Sequence, residues 1–211
     1  YGVLRSHNAI CVGNATTFKL FMDALDIPCK IIHSTQNGEH AWDVVQLDGE
    51  WYHVDVTFDG GVSGEPGDNY FNMPDSVKDN GSYPWDHDEI PAANGTKYCY
   101  MLTSAAALND MYEIPAQLKQ AINGDKTMLT FTLKDNSGFT RQIAEYICNS
   151  FPIDNGWVGF ADAYSLGGQT VYKYTIERYE NGGGEIPPEV LSRLDEAIAD
   201  ANDGMIAGAA Q

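Results

Sequence analysis

Basic side chains are scarce in this 211-residue chain: 12 lysines and arginines stand against 30 aspartates and glutamates, a formal charge of −18. A chain that negative repels phosphate backbones, which argues against nucleic acid and anionic membrane surfaces as partners. Its sign would suit a cationic partner, but its simplest consequence is a well-solvated surface. No stretch approaches the roughly 20 apolar residues of a membrane helix, so membrane insertion is not expected. Cysteine is limited to Cys11, Cys29, Cys99 and Cys148, scattered and without a C-x-x-C pair. That excludes a disulfide scaffold and gives no support to a zinc ribbon or a thioredoxin-type redox pair. No repeat is visible, and the glycines at 60–61 and 182–184 lack the strand-to-helix setting of a phosphate loop. The chain opens at Tyr1 without methionine or leader and is expected to be a segment of something longer.

What is present suffices for a core. Hydrophobic residues make up 43% and charged ones 20%, a composition of folded rather than disordered chains. Residues 12–25 carry Val12, Ala15, Phe18, Phe21, Met22 and Leu25 on one helical face, stopped by Pro28. Residues 29–33 read as a short strand, and 40–47 with 50–57 as a hairpin around Asp48-Gly49. Residues 58–96 are crowded with Gly, Pro, Asp and Asn and read as a long ordered excursion over one end of the sheet, pinned by Tyr70, Phe71 and Trp85. Further on, Tyr98, Tyr100 and Leu102 alternate as in a strand. Residues 115–122 read as a helix ended by Gly124, and 128–133 as a half-buried strand. A helix with Phe139, Ile143, Tyr146 and Ile147 on one face and a strand over 170–179 complete the order. The pattern is α+β with a largely antiparallel sheet. Residues 181–184 look like a joint, and 187–202 like an acidic amphipathic helix; its Val190, Leu191, Leu194 and Ile198 either cover a surface beside the first helix, in their own molecule or a neighbour's, or pack locally on the sheet, or the segment links to a further domain.

One pair of residues in the hairpin is informative. With Asp48 and Gly49 as a two-residue loop, Leu47 faces Glu50 and His40 becomes a diagonal neighbour of Asp55 on the same face. A register slip of one residue would part them. A carboxylate-bound imidazole has a fixed tautomer and a stabilised charged form. Covalent chemistry then needs a nucleophile, and Cys11 stands just before the first turn of a helix, where free N–H groups and the macrodipole favour a thiolate. His53 falls on the same face as Asp55 and is a rival partner for it. An isolated cysteine before a helix is more often a small buried hydrophobe, and a His and an Asp on one hairpin face are usually incidental.

Five ordered blocks go further than the pair. Gly2-Val3-Leu4, then Ala9-Ile10-Cys11-Val12-Gly13-Asn14-Ala15-x-x-Phe18, then Leu25-Asp26-Ile27-Pro28-Cys29, then His40-Ala41-Trp42-Asp43, then Asp48-Gly49-x-Trp51-Tyr52-His53-Val54-Asp55-Val56-Thr57 follow one another. Together they resemble the bacterial transglutaminase-like superfamily, with a looser continuation through Tyr70-Phe71-Asn72 and Trp85. The resemblance covers about the first hundred residues strongly and the rest weakly.

The resemblance implies a papain-like core in which a cysteine-bearing helix packs on a mainly antiparallel sheet. It implies Cys11 as nucleophile, His40 as general base and acid, and Asp55 as the orienting carboxylate. The implied reaction is acyl transfer on an amide of a protein or peptide, through a thioester, ending in hydrolysis or in cross-linking. No cofactor and no metal are called for, and the expected location is the outside or surface of a bacterium. Domains are expected at 1–103 (the catalytic core, its upstream part missing), 104–180 (an α/β extension) and 181–211 (joint and tail). Two features depart from the family: Asp43 stands where relatives commonly carry Asn, and the upstream helical segment of the relatives is missing. Trp42, Trp51 and Tyr52 are candidate substrate-contacting residues, with core packing as the competing role. The contiguous donors Asp86, His87, Asp88 and Glu89 rarely converge on one ion and are not read as a metal site. The competing function is a non-catalytic binding or structural module of a larger bacterial surface protein.

Overall fold

A computed structural model describes residues 10–35, 40–60, 70–79, 83–154 and 156–178. The first helix, α1 (Cys11–Ala24), is followed by β1 (Cys29–His33), β2 (Ala41–Leu47) and β3 (Glu50–Val54). These strands form an antiparallel three-stranded sheet in the order β1-β2-β3. Asp48 and Gly49 both take positive φ, 51° and 86°, as a two-residue turn of matching twist requires. The register follows from that turn: Leu47 faces Glu50 and Asp43 faces Val54. α1 packs on β1 and β2, with Phe18 and Met22 against a cluster of Cys29, Val45, Tyr52 and Val54. The opposite face of the sheet buries Trp42, Val44 and Ile32 under Trp85 and Ala93.

The helix covers less than its spacing suggests. Ala15 is its only fully buried residue, and Leu25 is exposed. The hairpin is also shorter than the expected 50–57 arm. β3 ends at Val54, and Asp55 caps a helical turn, α2 (Val56–Asp59), by accepting the Phe58 N–H at 3.2 Å. An Asp at that position satisfies an otherwise orphaned helical N–H, and this outcompetes one more residue of strand.

The excursion after α2 is ordered where described. Met73 pairs with His53 through two backbone hydrogen bonds and so extends the edge of β3, ahead of a helical turn, α3 (Asp75–Lys78). Met73, Val77 and Trp85 are its buried anchors; Phe71, expected to pin it, is exposed.

Residues 100–103 are a helical turn, α4 (Tyr100–Thr103), and not the strand suggested by Tyr98, Tyr100 and Leu102. The hydroxyls of Thr103 and Ser104 bond back to the carbonyls of Cys99 and Tyr100, and Met101 faces the core. Then come β4 (Ala106–Leu108), a 3₁₀ turn over Met111–Glu113, α5 (Ile114–Asn123), β5 (Met128–Leu133), α6 (Arg141–Asn149), β6 (Gly156–Leu166) and β7 (Gln169–Arg178). The second sheet runs β4-β5-β7-β6, antiparallel except for the parallel pair β4–β5. α5 and α6 lay Ile114, Leu118, Ala144 and Ile147 over Phe131, Tyr172 and Tyr174. Tyr146, expected on the buried face of α6, is 74% exposed.

β6 has no counterpart in the sequence reading. It is an edge strand, half-buried and rich in small residues, so its alternation is weak. Its signal was Gly167-Gly168, both at positive φ, a hairpin turn between two β-rich runs. A further cluster of Met73, Val77, Met101, Met128, Leu166 and Val171 lies between the hairpin side and the second sheet, so residues on both sides of position 103 share one core. The architecture is α+β. Among the described residues no helix is long and apolar enough to cross a membrane. The expected joint at 181–184 and helix at 187–202 lie outside the described residues.

Candidate functional site

His40 and Asp55 meet at the open end of the hairpin, opposite the Asp48-Gly49 turn. His40 sits one residue before β2 and Asp55 one residue after β3. Both backbones are pinned: the His40 carbonyl accepts the Ser34 N–H at 2.9 Å, and the Asp55 N–H donates to the Tyr70 carbonyl at 3.0 Å. His40 Nε2 lies 2.7 Å from Asp55 Oδ2, and both side chains are buried. An ionised carboxylate only accepts, so Nε2 carries the proton and Nδ1 is the nitrogen left for chemistry. The ring stacks on Phe58, with centroids 4.3 Å apart, and Tyr83 meets it at a tilt, at 4.8 Å.

Cys11 is the first residue of α1 and is partly exposed. The helix's first turn is tied to the Asp55 corner by Asn14 Nδ2, which donates to Thr57 Oγ1 at 3.2 Å, and α1 packs against α2. The other three cysteines are buried. Burial pushes the Cys29 thiol up to about 12, with the Asp43 carboxylate beside it adding to the rise, and burial pushes Cys148 up to about 11. Such thiols are poor nucleophiles. Among the four, only Cys11 combines access with a helix N-terminus.

Sequence reasoning missed a third partner of Asp55. Lys78 Nζ is 2.8 Å from the same Oδ2 that His40 uses, and lies 4.3 Å from the centroid of the Trp42 ring. Burial alone would raise the Asp55 carboxyl. The hydrogen bond from His40 and the charge and hydrogen bond of Lys78 outweigh it and hold the group below the ordinary carboxylate value. Burial lowers the Lys78 amine, partly offset by Asp55. Nothing local marks Lys78: a lysine between Val77 and Asp79 in a polar stretch reads as solvated.

His53 is engaged elsewhere. Its Nδ1 accepts the Trp42 Nε1–H at 2.9 Å and its Nε2 lies 2.7 Å from Asp75 Oδ1. It therefore does not compete with His40 for Asp55. The substrate-contacting role of Trp42 and Tyr52 is corrected by burial. Both are fully enclosed, Trp42 over His53 and Tyr52 with its hydroxyl donating to Glu50 at 2.6 Å. Trp51 is half-buried against the Trp42 cluster.

Asp43 is fully buried on the helix-facing side, with Oδ1 3.5 Å from Cys29 Sγ and Oδ2 without a hydrogen-bond partner. Burial, reinforced by the Asp55 charge, pushes its carboxyl up to about 7. His87 is exposed, its ring tilted against Trp85 with centroids 4.5 Å apart, and lies 3.8 Å from Asp79. Among the described residues, no group of three or more His, Cys, Asp or Glu side chains gathers around a common point. No family model matches the chain, and no curated protein matches it.

Proposed function

We propose that the chain is a cysteine-dependent acyl-transfer enzyme of the transglutaminase-like kind, acting on amides of a protein or peptide at the outside or surface of a bacterium. The observation that carries the reading is the buried 2.7 Å contact between His40 and Asp55, at the corner to which Asn14 ties the first turn of the Cys11 helix. Asp55 fixes the imidazole so that Nδ1 is the free nitrogen. In this reading the Cys11 thiol passes its proton to that nitrogen, and the sulfur attacks the amide carbonyl carbon. The C–N bond breaks as imidazolium returns the proton to the departing amine, leaving a thioester on Cys11. Water or a second amine then takes the acyl group and restores the thiol. No step calls for a cofactor.

The test is turnover of casein, of glutamine peptides with a labelled amine, and of cell-wall peptides, beside iodoacetamide labelling across pH. The reading requires Cys11 to react faster than a free thiol and turnover to vanish in Cys11→Ala. A cysteine that labels like a free thiol would show that the three residues do not act together.

One observation favours the second reading, a non-catalytic binding module. Asp55 Oδ2 is shared with a buried lysine, so part of its charge is spent on a structural ion pair. Ligand binding that survives Cys11→Ala, with no turnover of any amide, would establish that reading.

A further inference from the structure

Asp43 lies in the middle of the first sheet, on the face that α1 covers. Val54 stands directly across from it on β3, and Cys29 lies two residues from its partner Ile31 on β1. Its carboxyl is fully enclosed. Oδ1 accepts from Cys29 Sγ at 3.5 Å, and Oδ2 meets no hydrogen-bond partner among the described residues. A neutral acid tolerates such a place far better than an anion does, because one thiol is a weak donor. Ionisation therefore favours any arrangement that lets water reach the carboxylate, and the cover over it is α1.

That cover is lightly fastened. The N-cap of α1 is Ile10, whose side chain caps nothing, and no acidic residue stands in its first turn and no basic one in its last. Of its 14 residues only Ala15 is fully buried, and a helix of this length is marginal in water without docking. What lies beneath does not depend on it. The opposite face of the sheet packs Trp42, Val44 and Ile32 under Trp85, and the second sheet has a core of its own.

We propose that Asp43 is a pH switch for the Cys11 helix: ionisation of its carboxyl releases α1 from the sheet, and Cys11 moves out of reach of His40 while the rest of the chain stays folded. The groups around Asp43 come from three elements. Cys29 on β1 donates to it, the Asp55 charge beyond β3 opposes its ionisation, and Lys19 on α1 favours ionisation, the weakest of the three influences. Lys19 is held by Asp23 at 2.8 Å on the exposed side of the helix. Because the docked acid binds its proton more tightly than the released one, docking is strongest at acid pH and weakens as pH rises toward about 7. The effect on catalysis rests on the acyl-transfer reading; the release of the helix does not.

The experiment is thiol labelling of the whole reduced chain with iodoacetamide from pH 5 to pH 8, read at each cysteine by mass spectrometry. Each rate is divided by that of a free thiol at the same pH, which gives an opening constant. Cys29 is covered by the α1 side of the sheet and reports release of the helix; Cys148, on α6 in the second core, reports unfolding of the rest. The Cys29 constant is expected to exceed that of Cys148 at every pH, to rise about tenfold per pH unit at first and to level off above about 7. Asp43→Asn and Asp43→Val, which cannot ionise, should flatten the rise. A Cys29 constant that does not rise with pH, a rise that survives in either folded variant, or equal constants for Cys29 and Cys148 would overturn the proposal. The comparison of the two cysteines in the wild-type chain decides even if neither variant folds. For the link to the site, the ratio of kcat/KM at pH 7.5 to that at pH 5.5 should be about tenfold higher in Asp43→Asn than in wild type, and an equal ratio would overturn that link. A chain that turns over no amide removes the acyl-transfer reading, while Cys29 labelling still supports or overturns the release of the helix, so the two failures are distinguishable.

Discussion

Two histidines in this hairpin each lie 2.7 Å from a carboxylate, and the two pairs are built for different work. His53 is fully enclosed and uses both ring nitrogens, one accepting from Trp42 and one toward Asp75. Trp42 can only donate, so Nδ1 must stay bare and the proton must sit on Nε2. A second proton would set two N–H groups against each other, and burial already lowers His53 below its ordinary value. His40 uses one nitrogen, and among the described residues none is hydrogen-bonded to the other. A hydrogen-bonded imidazole is therefore not by itself a catalytic sign. What separates the two is whether a nitrogen remains for a proton to come and go.

The largest expected effect breaks the His40 pair. His40→Gln should lower kcat/KM by about 10³-fold or more with little change in the urea midpoint, because it removes the proton carrier while its amide can still donate to Asp55. His53→Ala should do the reverse. Leaving the Trp42 N–H and Asp75 without a partner in a packed site is expected to cost about 3 kcal/mol in urea unfolding. If His53→Ala instead abolished turnover at full stability, the roles assigned here would be exchanged.

Asp43 sharpens the contrast, since its buried carboxyl has an oxygen with no partner. Its folded value, about 7, lies above the unfolded one of about 3.8. The folded state therefore holds a proton that the unfolded state has released across that interval, and stability falls as pH rises from about 4 to about 7. Asp43→Asn should stabilise the protein by on the order of 2 kcal/mol at pH 8 and by little or nothing at pH 4. Chemical unfolding at the two pH values measures it. A gain of equal size at both would show that the acid's ionisation is not the cause. His53 has the opposite sign. Its folded value is depressed, so its share of stability is present above 6.5 and is lost as pH falls below it. In a wild-type pH series, His53→Gln should flatten that acid limb.

The smallest effect concerns Lys78. Lys78→Met keeps the bulk over Trp42 but leaves Asp55 with His40 and the Phe58 N–H. The carboxyl is then less well held in its ionised form, and activity is expected to drop about tenfold, more steeply at acid pH, with Lys78→Arg recovering part of it. A uniform drop at every pH, paralleled by a lower melting temperature, would mean that Lys78 only supports the fold.

The contact between His40 and Asp55 was legible, although not for the whole reason given. The Asp-Gly turn sets a register that brings the two arms together in that order, and the register is as expected. Yet Asp55 is a helix cap and not a strand residue, and it reaches His40 because both flank the open end of the hairpin. Lys78 was illegible. Its burial comes from Trp42, Phe58 and Tyr70, residues that neither precede nor follow it closely. β6 was missed because an edge strand needs no strict alternation, and α4 was misread because three alternating apolar residues fit a helical turn equally well when the core lies on one side.

Local chemistry thus determined the turns, the hairpin register, the helix that begins at Cys11 and the α+β class, because each depends on residues within a few positions of one another. Tertiary packing decided which histidine keeps a free nitrogen, which lysine is buried against Asp55, and that Trp42 and Tyr52 are core. Those outcomes depend on side chains tens of residues apart sharing one small volume, where burial and pairing, rather than spacing along the chain, set the free energy.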